Sequence, residues 1–171
     1  MRAPEFLLAG LAAGIMTAAR ADETAPQRFD LGAYQSYVAN WTPDTKPFCA
    51  ILRSSADWSA VIRPAAVMGS AKPFAPPADT WTTNAVLVVA RTAYASQGDA
   101  AALIVAGVRE TQGAIEVETR FSPPPPSSYA SKQAVALAFR KPLPENIVVR
   151  ENGAVVCTLR PGQGRWRSVG R

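Results

Sequence analysis

The chain contains two cysteines and no histidine. Cys49 lies in KPFCAILRS and Cys157 in GAVVCTLRPG, each inside a short apolar run and more than a hundred residues apart. If they pair, most of the chain is enclosed in one covalent loop, and the two runs that carry them must meet in the core. Neither cysteine belongs to a C-x-x-C motif, and there is no histidine to complete a metal set or to activate a thiolate. Pairing requires an oxidising compartment, so the N-terminus decides how the cysteines are read.

Residues 1–21 read as an export signal. MRAPE carries Arg2 and the amino terminus, FLLAGLAAGIM is a continuous apolar run, and ARA before Asp22 matches a small-x-small cleavage site. The run is about half the ~20 apolar residues that a membrane-spanning helix needs. The expectation is therefore a mature chain starting at Asp22, periplasmic or secreted, with no membrane insertion after cleavage. In that setting a Cys49–Cys157 disulfide is the preferred reading, with two free buried thiols as the alternative.

Downstream of the signal, DETAPQRFD and the residues up to 47 read as an N-terminal lead-in, loose at first, with a helix or irregular packing around LGAYQSYVANW. FCAILRS reads as a strand. In SSADWSAVIRP, Ser54 stands three residues before Asp57 as in a capping box, Trp58, Val61 and Ile62 share a helical face, and Arg63-Pro64 ends the pattern. A helix of about two turns is expected, followed by a proline-containing surface loop up to Asp79.

From residue 84 the pattern is that of strands. NAVLVVARTAY is apolar on both faces, as a central strand requires. AALIVAGV reads as the next strand, with RETQG as a turn. AIEVETRF alternates, with Ile115, Val117, Thr119 and Phe121 on one face and Glu116, Glu118 and Arg120 on the other. SPPPPSS, at 122–128, cannot join a strand ladder and reads as a rigid connector. QAVALAFRK is a further strand, and IVVRENGAVVCTL is a hairpin around Asn152-Gly153. RPGQGRWRSVGR is a basic tail. The fold expected is mainly β: a compact antiparallel β-sandwich or barrel-like sheet with one short helix, formed by residues 48–160, with 161–171 as a flexible tail.

The same residues restrict the chemistry. Serine–histidine triads, cysteine–histidine dyads and histidine-ligated zinc sites are excluded. S-x-x-K, the phosphate-binding loop and the dinucleotide fingerprint are absent. Glu116 and Glu118 share a strand face, which allows a glycosidase-like carboxylate pair, although a solvated face with Arg120 alongside explains them as well. Trp81 and Trp166 read as a core anchor and a tail residue, with ligand-binding aromatics as the alternative. The chain carries 18 Lys and Arg against 13 Asp and Glu, and the arginines are scattered. A nucleic-acid patch is therefore not indicated.

Together, ILRSSADWSAVI, NAVLVVA, AALIVAGVRETQGAIEVETRFSPPP and SSYASKQAVALAFRKP resemble the C-terminal domain of PrcB-type protease-complex subunits over about residues 48–143. That family commonly carries Pro-Thr-Gly-Gly-Tyr after the central strand, and the matching stretch here, Tyr94 to Asp99, keeps one glycine. The resemblance implies a non-catalytic β domain that binds a partner and supplies no site residues. The function expected is that of an exported domain that binds another protein, with Glu116, Glu118 and Arg120 as a candidate surface and no cofactor. A histidine-free hydrolase using carboxylates and a small-ligand carrier are the alternatives.

Overall fold

A computed structural model describes residues 26–31, 47–62, 75–94, 103–111, 113–122 and 130–160. The signal-like segment, the LGAYQSYVANW stretch apart from Leu31, the SPPPPSS connector after Ser122 and the basic tail with Trp166 lie outside the described residues.

Among the described residues, eight strands form two separate sheets, so the fold is a sandwich and not a closed barrel. The first sheet has the order β1 (Gln27–Phe29), β6 (Ala130–Arg140), β3 (Asn84–Tyr94), β2 (Phe48–Leu52), and all its pairs are antiparallel. The second has the order β4 (Leu103–Thr111), β5 (Ala114–Phe121), β7 (Asn146–Glu151), β8 (Ala154–Leu159). Its central pair, β5 with β7, is parallel. The chain leaves β5, runs through β6 in the opposite sheet and returns into β7 in the original direction. A strand of the facing sheet thus serves as the crossover that a parallel pair needs.

The apolar character of β3 on both faces has a direct cause. Residues 85–90 are all at most 1% exposed, because both sides of this strand are covered. Leu87 and Val89 face the second sheet, in a cluster with Leu137, Phe139, Val117, Ile147 and Val149. Val86, Val88 and Ala90 face the other way, against Trp58, Val61, Ile62 and Leu31. A helical layer therefore covers the outer face of the first sheet, and two cores lie back to back across it.

That layer is α1 (Ser55–Val61), held as its sequence predicts. Ser54 Oγ accepts from the Asp57 backbone N–H at 3.1 Å, and the Asp57 carboxylate accepts from the Arg53 N–H at 2.9 Å. Seven residues do not hold a helix in isolation, so docking through Trp58 and Val61 stabilises it. Ser54→Ala removes the cap and should lower stability by about 1 kcal/mol, read as a lower urea midpoint with unchanged slope.

Two short elements were not legible. The single turn α2 (Thr80–Thr83) follows Pro76-Pro77, with the Thr80 N–H donating to Pro77 O, and it brings Trp81 to 6.2 Å from Trp58. Trp81 is thus a half-buried core anchor. In the lead-in, Gln27–Phe29 are not loose, since they pair with Ala136–Ala138 as β1, and Phe29 packs on the α1-side core. A three-residue strand in a polar stretch has no periodicity to read, and its neighbour β6 supplies the order.

The Asn152-Gly153 hairpin is present, with φ of 51° and 83° at its two turn residues, the combination that a tight two-residue turn needs. Among the described residues, no helix is long and apolar enough to cross a membrane.

Candidate functional site

Cys49 and Cys157 form a disulfide with Cα atoms 6.4 Å apart. Cys49 is on β2 and Cys157 on β8, the strands at one lateral edge of each sheet. Both are at most 1% exposed. The bond staples the sheets together along that edge and presents no thiol for chemistry.

Glu116, Glu118 and Arg120 lie on the outer face of the second sheet, as their alternation indicates. Glu116 is 3.8 Å from the Arg150 guanidinium on β7. Glu118 accepts from the Gly153 backbone N–H at 2.8 Å, tying the β7–β8 turn to β5. Asn152 completes that tie: its side chain accepts from the Phe121 N–H and donates to the Phe121 carbonyl, at 3.1 and 2.9 Å. The two carboxylates are thus engaged separately, one with an arginine and one with a turn, while Arg120 is exposed. Among the described residues, no group of three or more acidic or cysteine side chains is placed to hold a metal ion.

At the Tyr94 end of β3, polar side chains enter the space between the sheets. Arg91 grips Glu151 with two hydrogen bonds, Nε to Oε2 at 3.0 Å and Nη2 to Oε1 at 2.5 Å, and its guanidinium lies 4.8 Å above the Phe121 ring. Gln133, the register partner of Arg91 on β6, is 7% exposed, and among the described residues its Oε1 has no hydrogen-bond partner. This end is closed by a bridge between sheets.

The lateral edge opposite the disulfide is closed where Leu103 and Val105 of β4 join the core with Val135 of β6, and among the described residues a cleft is left at its Arg140 end. Here β1 and β6 of the first sheet face β4 of the second across a cleft of about 710 Å³. Ile115, Phe139 and Val108 supply apolar surface, continuous with the core between the sheets. Arg28, Arg140 and Glu110 form an exposed charged rim, with Asn84 beside them. Among the described residues, neither arginine has an ion-pair partner. Among the described residues β4 pairs only with β5, and a bulge between Val105 and Gly107 leaves Gly107–Thr111 as its regular stretch, from which Val108 and Glu110 line the cleft. Bulges of this kind blunt an exposed edge, and here only the first half of the strand is blunted.

The sequence did not single out these cleft residues. They come from five separate strands, and each looks like an ordinary surface charge or strand residue in its own segment. In comparisons with known proteins, no family model, no curated protein and no solved structure matched the chain.

Proposed function

We propose that this chain is an exported, non-catalytic domain that binds another exported protein. The observation that carries the reading is the cleft on the side opposite the disulfide: apolar surface with a charged rim, beside a strand whose second half has, among the described residues, no strand partner on its outer side. An extended segment of a partner adds to such an edge through main-chain hydrogen bonds, and pockets beside it take alternate side chains. The buried Cys49–Cys157 bond fits an oxidising compartment, in agreement with the export signal read at residues 1–21. The resemblance of residues 48–143 to PrcB-type subunits supports the same class and suggests a protease complex as the setting.

A small-ligand carrier is the second reading. The cleft volume favours it, since sites for small molecules commonly run from ~300 to ~1,000 Å³. The partner reading is tested by chemical crosslinking in the periplasm of the native host, followed by capture of the tagged chain and mass spectrometry. A stoichiometric exported partner is expected. A bare monomer under the same conditions would reject partner binding and transfer the cleft to a small ligand.

A further inference from the structure

The rim of the cleft is asymmetric in charge. Arg28 and Arg140 stand on the first-sheet side, each exposed and neither ion-paired among the described residues. On the opposite side, among the described residues, Glu110 is the only charged lining residue. Between them lie Val108, Ile115 and Phe139, and along one side runs Gly107–Thr111 of β4. Five residues of regular strand span about 17 Å, enough to align one extended segment.

Resting on the reading of this cleft as a partner site, we infer that its occupant is an extended segment of the partner protein with an acidic side chain at its centre. The segment pairs along Gly107–Thr111, places an apolar side chain against Phe139 and Ile115, and directs its carboxylate to Arg28 and Arg140. A guanidinium presents its donors in a planar fork that matches a carboxylate, so two such groups without an ion-pair partner among the described residues favour an acid over an amide of the same shape. A basic segment would meet two like charges and a single glutamate.

The test uses the full chain in its native host, with a photoreactive residue in place of either Glu110, in the cleft, or Arg120, on the outer face of the second sheet. Crosslinked peptides are sequenced. The expected result is crosslinking from position 110 to one short partner segment containing Asp or Glu, with a yield that falls about tenfold in the Arg28→Gln, Arg140→Gln chain. Both arginines are exposed, so the double variant should keep its circular dichroism and melting temperature. Replacing the acid of the partner segment by its amide should produce the same fall, with no further loss in the double variant.

Crosslinks from position 110 to a segment without an acid, or a yield indifferent to the arginines, would overturn the carboxylate inference and leave partner binding standing. Crosslinks from position 120 alone would move the partner to the outer face. A crosslink between two copies of this chain would assign the cleft to self-association. Silence at both positions would remove the inference and the partner reading together.

Discussion

Cys49→Ala and Cys157→Ala should each lower the stability of the folded domain by about 4 kcal/mol, and the double variant should lose far less than the sum of the two. The bond joins residues 108 apart. Closing a loop of that size removes about 4–5 kcal/mol of chain entropy from the unfolded state in the simplest treatment, before any cost in the folded state is subtracted. Both sulfurs are buried, so truncation to alanine also removes some packing. A loss of this size corresponds to a melting temperature lower by roughly 8–16 °C for a domain of this length. The effects should not add, because either substitution already abolishes the bond. Thermal melts with and without reductant check this: reductant should bring the unmodified protein down to the level of the variants and leave the variants unchanged. Additive losses, or a protein whose melting is indifferent to reductant, would show that the sheets hold together without the staple.

The bond also explains why the two lateral edges of the sandwich differ. On the β2–β8 edge the sheets are covalently held, and the apolar clusters around Cys49 and Cys157 are sealed. On the β1–β6 and β4 edge no such bond exists, and the cleft opens onto the same core. One edge is held covalently, and the other carries the cleft. A domain that must bind an extended segment without opening its sheets gains from having its staple on the side away from the groove.

Some of this was legible in the sequence and some was not, for physical reasons. Strand position follows from the side-chain period, so AIEVETRF and NAVLVVARTAY could be assigned to a half-wet and a doubly buried strand. The hairpin followed from Asn152-Gly153, because few residues tolerate positive φ. Pairing partners do not follow from period. β5 looks the same whether its neighbour is antiparallel β6 or parallel β7, and only the three-dimensional path chooses. The cleft was illegible for a related reason: Arg28, Asn84, Glu110 and Arg140 meet only after the sheets form. One signal does lie in the pattern. Along β3 the inward positions run Leu87, Val89, Arg91, and along β7 they run Ile147, Val149, Glu151. A charge that continues a buried alternation demands a partner, and two such interruptions of opposite sign point to each other.

That pair carries the second large effect. Arg91→Met should destabilise the domain by about 3 kcal/mol, because it leaves the Glu151 carboxylate, with a side chain 5% exposed, without its guanidinium. Methionine keeps an apolar stem over Phe121, so the loss reports the missing charge more than missing volume. The reverse change, Glu151→Leu, should cost distinctly less. The Arg91 side chain is 18% exposed and sits nearer the solvent, so its guanidinium can turn outward along its flexible stem. The double variant Arg91→Met, Glu151→Leu should recover most of what Arg91→Met loses, since two apolar groups of similar size replace a buried ion pair at little cost. Urea midpoints of the four proteins complete the cycle. A tolerated Arg91→Met, or a double variant that loses the sum of the two singles, would show that the bridge between the sheets adds nothing beyond the packing around it.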